Sequence, residues 1–328
     1  MRALAVHAQA PIESAPLALE ARSVPAPGPG EILVRVSACG ICRTDLHVVE
    51  GDLPLVTAPI VPGHQVVGRV VRDGARFRAG DRVGIAWLRW TCGLCVSCTS
   101  GRENLCARAR FTGWHADGGF ADYAVVPEAF AYLLPGPLAD AEVAPLLCAG
   151  IIGYRALRLS AVPPGGRLGI YGFGSSASVT IQVARARGVE VYVCTRQPAH
   201  RALARALGAA WVGATAEPMP HAVDGAIIFA PAGELVPVAL ESLAPGGTLA
   251  LASIYMSRIP PLDYKTLFEE RRLTTVTANT RVDGEELLAE AASIPIRPAV
   301  TTFPLEDANR ALLALKHGAF AGSGVLIP

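Results

Sequence analysis

One stretch, Leu168-Gly-Ile-Tyr-Gly-Phe-Gly-Ser-Ser-Ala177, narrows the folds open to this chain more than any other. An apolar run ends at a glycine turn of the form G-x-G-x-x-A, and helical spacing follows at once, so strand, turn and helix succeed one another without a linker. In such a turn Gly172 permits the tight reversal and Gly174 lets a pyrophosphate approach the backbone at the helix N-terminus. Phe173, Ser175 and Ser176 complete the cradle, and Ala177 is small enough for helix to pack on strand. The same texture continues downstream, with strands expected near 168–171, 190–194, 211–212, 226–229, 248–252 and 273–277, and helices over 177–187 and 235–243. That predicts an α/β fold with a doubly wound six-stranded sheet, a dinucleotide-binding domain of residues 149–281.

The remainder reads differently. From Arg2 to about Leu134, short alternating or apolar runs such as Glu31-Ile-Leu-Val-Arg-Val are broken by Gly and Pro, the pattern of a mostly-β domain, and no long helical period competes there. Helical spacing begins between 139 and 159. After about Arg281 come a helix-like 284–292, a strand-like 299–303, a helix over 305–317 and an apolar end that is expected to return to the first domain. The domains are therefore expected at 1–148 with 282–328, and at 149–281, abutting across a cleft, with no repeat or low-complexity linker.

Charge excludes some partners. Lys plus Arg number 29 against 28 Asp plus Glu, and no long single-sign run occurs, so neither nucleic acid nor an acidic membrane surface is expected as a partner. No stretch approaches ~18 consecutive apolar residues, and the start lacks a secretory layout, so a cytoplasmic protein is expected.

Cysteine spacing carries the next inference. Cys92, Cys95, Cys98 and Cys106 follow C-x2-C-x2-C-x7-C, close enough for one excursion of chain to wrap four thiolates around zinc. Disulfides are the rival reading, but a cytoplasmic chain of this size has neither the compartment nor the need for them. Four sulfurs leave no open position, so this ion is structural, in a lobe near 92–106. A catalytic zinc instead has three protein ligands, commonly distant in sequence. The candidates are Cys42, His64 and Cys148. Each alone is weak: a lone Cys in an apolar run is usually core, and a lone His after Pro-Gly is usually a turn residue. The surroundings of Cys42 strengthen the case. Asp45 can accept the other ring N–H of His64, while Thr44 and His47 supply a hydroxyl and a base able to pass a proton outward. The plain alternative is a capped turn with a surface histidine.

The cofactor turn lacks one expected partner. An NAD site places Asp or Glu about 20 residues on, at the end of the second strand, where this chain has Cys194-Thr-Arg-Gln197. With no carboxylate to repel a 2′-phosphate, and Thr195 and Arg196 able to donate to it, the argument favours NADP over NAD. Arg196 serves equally as a solvated residue stacking on adenine.

Together these residues resemble the zinc-dependent alcohol dehydrogenases of the medium-chain dehydrogenase/reductase family, nearly end to end. The resemblance implies a GroES-like catalytic domain beside the Rossmann domain. It implies a catalytic zinc on Cys42, His64 and Cys148, and a structural zinc on Cys92, Cys95, Cys98 and Cys106. Arg43 falls where the family contacts the pyrophosphate, Thr44 and His47 on its proton relay, and Asp45 on the acid behind the zinc histidine. The Cys-Ala-Gly form at Cys148 and the placing of Trp87 are closest to the microbial primary-alcohol branch, in which Trp87 and Leu53 would shape the substrate pocket. The chain departs from the family twice: Gln65 stands where Gly-His-Glu is usual, and Ser323 aligns with an arginine. Losing both partners of a charge pair leaves neither uncompensated. The implied activity is reversible hydride transfer between a primary or small secondary alcohol and NAD(P), in a homo-oligomer, dimer or tetramer, built partly on cofactor-domain strand pairing. The alternatives are a zinc-independent enone (quinone-type) reductase of the same fold, or a non-enzymatic zinc or redox sensor.

Overall fold

Along Glu31–Ile41 the side chains of Val34, Val36 and Ala38 are buried while Arg35 and Ser37 between them are not, the two-residue alternation of a strand with one face on a core. This strand is the hub of the first sheet. It pairs antiparallel with Gln65–Val70, Tyr123–Pro127 and the C-terminal Ser323–Ile327. Ser323–Ile327 in turn takes Val300–Pro304 as a parallel neighbour, while Arg82–Ile85 and Ala131–Leu133 extend the other side. The computed structural model describes residues 1–134, 136, 138–215, 217–320 and 322–328. They divide into two compact units: Met1–Cys148 with Ala278–Ala292 and Pro298–Pro328, and Ala149–Thr277 with Ser293–Arg297.

The first unit departs from the mostly-β reading at one important place. Arg43–Glu50 is an eight-residue helix. It is too short to declare itself by periodicity, and Cys42 takes the capping role that Ser or Thr usually fills. Its Leu46, Val48 and Val49 join a core that also takes in Val34, Val66, Ile85 and Phe120. Gly51, at φ +105°, ends it in the left-handed conformation that favours glycine.

The second unit is a six-stranded parallel sheet in the order Trp211–Gly213, Glu190–Cys194, Arg167–Tyr171, Val223–Ile228, Leu243–Leu251, Arg272–Thr275. The order reverses beside Arg167–Tyr171, so ligands of such sheets are expected at the carboxyl end of that strand. Gly172 sits there at φ +86°, and a Cβ on it would stand 2.9 Å from the Ala230 nitrogen, so neither the turn nor the packing admits a larger residue. Among the described residues no helix is long and apolar enough to cross a membrane.

Candidate metal centres and cofactor turn

Cys42 follows the central strand directly and caps the helix after it. Its sulfur accepts from the Thr44 N–H at 3.4 Å, and the Asp45 carboxylate reaches back to the Cys42 N–H at 2.8 Å. A cap of this kind contributes about 1 kcal/mol and fixes where the sulfur points. His64 arrives by a turn that only glycine allows: Gly63 is at φ +95°, and a Cβ there would strike the Phe120 ring at 2.4 Å. The other oxygen of Asp45 then lies 3.1 Å from His64 Nδ1 and 3.2 Å from the Gly63 nitrogen. Cys148 follows the short 3-10 turn Ala144–Leu147, whose residues are all buried.

These three chain segments bring two sulfurs and one nitrogen to one point. Cys42 Sγ is 3.5 Å from His64 Nε2 and 3.9 Å from Cys148 Sγ, and all three atoms lie within 4.8 Å of one another. Tetrahedral zinc with bonds of about 2.3 Å to sulfur and 2.05 Å to nitrogen requires edges of roughly 3.8 Å and 3.6 Å, so the donor set fits. Its electrostatics point the same way. Burial disfavours the charged form of His64, yet Asp45 and Cys42 outweigh it and hold the imidazole up at about 10. The hydrogen bond from Cys148 draws the Cys42 thiol well below its ordinary range, and Cys148 is raised correspondingly. The pocket calls for positive charge, which a divalent cation supplies by displacing the protons from its ligands.

The second cysteine cluster is built otherwise. Cys92 and Cys98 sulfurs are 3.8 Å apart, Cys95 and Cys98 3.5 Å, and Cys92 and Cys106 3.6 Å. All are edges of one tetrahedron, and the four atoms lie within 4.8 Å of one another. N–H groups of Leu94 and Cys95, with the Arg108 guanidinium, hold the Cys92 thiol down at about 5. The chain thus has two zinc sites, a Cys/His/Cys site and a four-cysteine site.

Thr44 and His47 lie three residues apart on one face of their helix, Thr44 buried and His47 partly so. Sequence reading missed a partner: His47 Nδ1 is 2.7 Å from Asp52 Oδ2. Gln65 is buried opposite Gly40, and among the described residues its Nε2 has no hydrogen-bond partner. Ser323 is buried in the last strand, its N–H donated to the Ala299 carbonyl. Arg43 is exposed and donates to the Lys316 carbonyl at 3.3 Å. Trp87 stands edge-on to the His64 ring at 5.0 Å and stacks with Phe111 and Trp114 at 4.9 and 6.0 Å. Neither Phe111 nor Trp114 was singled out from sequence, although Phe111-Thr-Gly-Trp114 concentrates two aromatics in a glycine turn. Trp114 donates its indole N–H to the Pro54 carbonyl at 2.9 Å, next to the partly buried Leu53.

In the second unit, helix Ser175–Ala186 begins at exposed Gly174, where a Cβ would meet nothing within 4 Å, so space for a ligand lies open beside the helix N-terminus. Phe173 and Ala177 are buried, Ser175 and Ser176 partly so. Thr195 is buried and Arg196 exposed just past the second strand. Folding also brings Glu217 toward this corner: its carbonyl accepts from the Cys194 thiol at 3.8 Å and its carboxylate from the Ala214 N–H at 2.8 Å. At 23 positions from Cys194, it left no local signal in the sequence.

Residues 28–136 match the family model "Alcohol dehydrogenase GroES-like domain", and residues 177–293 match "Zinc-binding dehydrogenase". The chain is 50% identical to the protein named "Probable alcohol dehydrogenase AdhA" of Mycobacterium tuberculosis, over 100% of this chain and 97% of that one. It is 36% identical to an alcohol dehydrogenase of Geobacillus stearothermophilus, over 94% and 95% of the two chains. Among solved structures, a cobalt- and zinc-bound thermostable alcohol dehydrogenase from Pyrobaculum aerophilum superposes with a TM-score of 0.88 at 25% identity, covering 100% of this chain and 99% of that one.

Proposed function

The chain belongs to the zinc-containing medium-chain alcohol dehydrogenases, and on that premise we propose that it exchanges a hydride between a primary or small secondary alcohol and NADP(H), with NAD(H) the weaker cofactor. The reading is carried by the meeting of two thiols and one buried imidazole from positions as much as 106 residues apart. Cys42, His64 and Cys148 would hold a zinc ion, which would supply Lewis acidity to the substrate oxygen, and the glycine turn would hold the nicotinamide cofactor, which would supply the hydride acceptor or donor.

The protein's own residues do the rest. Asp45 accepts the Nδ1–H of His64 and leaves Nε2 for the metal. Thr44 accepts the alcohol's hydroxyl proton while releasing its own, which His47 takes up and passes outward, so that the alcohol loses one hydride and one proton and leaves as aldehyde or ketone. Trp87 and Leu53, with Phe111 and Trp114 behind them, form an apolar wall that orients the carbon chain and excludes water. Gln65 tunes ligand exchange at the metal. Arg43 and the turn of Gly172, Phe173, Gly174, Ser175, Ser176 and Ala177 bind the pyrophosphate, and Thr195 and Arg196 the adenosine 2′-phosphate. The zinc of Cys92, Cys95, Cys98 and Cys106 shapes its lobe. An enone reductase or a sensor has no use for a three-ligand centre beside Thr44 and His47.

Two further expectations belong to this reading. Eight free cysteines suit the reducing cytoplasm. Arg272–Thr275 is an edge strand with Leu273 exposed and Phe268 exposed nearby, which favours pairing with a second copy in a dimer or tetramer. The test is a panel of alcohols and their aldehydes run in both directions with each cofactor, for the wild type and Arg196→Asp. The expected outcome is alcohol-dependent reduction of the cofactor, faster with NADP, and a preference moved toward NAD by the substitution. No turnover of any alcohol overturns the activity, and an unmoved cofactor ratio overturns the 2′-phosphate assignment alone.

A further inference from the structure

We infer that Asp52 is a positioning residue of the proton path, fixing the ring of His47 so that Nε2 is the atom that takes the proton; the inference rests on the relay reading above. The contact is direct, 2.7 Å from His47 Nδ1 to Asp52 Oδ2. A carboxylate at ordinary pH only accepts, so Nδ1 must carry the hydrogen, and in the neutral ring the lone pair is left on Nε2. When Nε2 takes a proton, the resulting imidazolium already faces a carboxylate. This is the orienting logic by which an acid behind a histidine makes it an effective base.

The backbone around Asp52 is arranged for this contact. After the helix Arg43–Glu50, Gly51 reverses the chain in the left-handed region, and the N–H groups of Gly51 and Leu53 both donate to the His47 carbonyl, at 3.2 and 3.0 Å. Asp52 is thereby returned over the residue five positions before it. The turn is braced from outside by Gln9, whose Nε2 donates to the carbonyls of Val48 and Leu53 at 2.7 Å each. His47 is 19% exposed and Asp52 68%, so the pair runs from the protein toward solvent, where a departing proton must go. An exposed pair of this kind contributes little to stability, and its effect is on orientation.

The experiment compares wild type, H47A, D52A and the double variant, all zinc-loaded. It measures the single-turnover rate of cofactor reduction with benzyl alcohol or ethanol, whichever the wild type oxidises faster. Removing the base is expected to slow the step by about a hundredfold and removing its orienting partner on the order of tenfold. The double variant should match H47A, because Asp52 acts only through His47. A readout independent of turnover is the ring tautomer of His47 by proton–nitrogen NMR, its signal identified by loss in H47A. The Nδ1–H form is expected in wild type and a shift toward Nε2–H in D52A, with the melting temperature unchanged. Equal rates for D52A and wild type, or a further loss when D52A is added to H47A, would overturn the role of Asp52 while leaving the relay standing. Unchanged turnover in H47A would remove the relay, and the inference with it.

Discussion

The two metal centres of this protein suit the same ion and are built in opposite ways. The four-cysteine lobe comes from one continuous run, Cys92 to Cys106, and its short helix Val96–Thr99 buries no residue. Leu94 and Val96 stand 83% and 76% exposed, so no apolar core shapes the lobe and the metal must do so. The other centre draws ligands from positions 42, 64 and 148, with His64 and Asp45 each 1% exposed. Here the fold makes the site. A closed set of four sulfurs folds chain, whereas a set of three on a rigid frame leaves a position for chemistry.

The comparison breaks most visibly if the two centres are disabled one at a time. Cys148→Ala is expected to remove several kcal/mol of Lewis-acid stabilisation, on the order of a thousandfold in kcat/KM. The circular dichroism spectrum and the lobe zinc should persist, and wild-type turnover in this variant would remove Cys148 from the site. Cys98→Ser should do the reverse. Because structural zinc is worth about 10 kcal/mol or more to a small metal-folded unit, the expected result is loss of one of the two zinc ions and a lower melting temperature. The Cys42/His64/Cys148 centre should still hold metal in elemental analysis, and retention of two ions would show that the Cys98 sulfur is dispensable.

Smaller effects sharpen the contrast rather than test its existence. Trp87→Ala removes the ring against His64 and should lower kcat/KM for the best alcohol by about tenfold, the scale of one lost apolar contact surface. The zinc content should not change, and a variant that loses metal would make Trp87 a support of the centre instead of a wall of the pocket. Gln65→Glu places a carboxylate beside the ligands and is expected to change the steady-state rate by less than about tenfold, below the roughly 10- to 100-fold effect of removing a group that orients a metal ligand. Identical kinetics would make that departure from the family neutral. Behind the lobe sulfurs stand N–H groups and the Arg108 guanidinium, and substitution of exposed Leu94 by Ser, which keeps its N–H, should leave every rate unchanged.

What was readable in the chain followed the reach of each interaction. The strand, turn and helix around Gly172 and Gly174 are neighbours in sequence, so their order emerges from apolar spacing and two glycines. The helix Arg43–Glu50 was hidden. Eight residues give barely two periods, and its cap is a cysteine, although the Cys42-Arg-Thr-Asp45 spacing and Gly51 mark both of its ends. Phe111, Trp114, Glu217 and Asp52 were hidden for another reason: each matters only through a neighbour supplied by folding.

By itself the sequence determined that four sulfurs spaced three, three and eight apart would close on one ion, and that a glycine turn after a strand would open directly into a helix. Both are local, because a few residues of chain cannot separate the groups they join. Only the tertiary structure decided that Cys42, His64 and Cys148 share one point and that Asp45 faces the far nitrogen of His64. Those contacts depend on strand pairing and core packing across many tens of residues, where ångström-scale placement is set by everything buried between them.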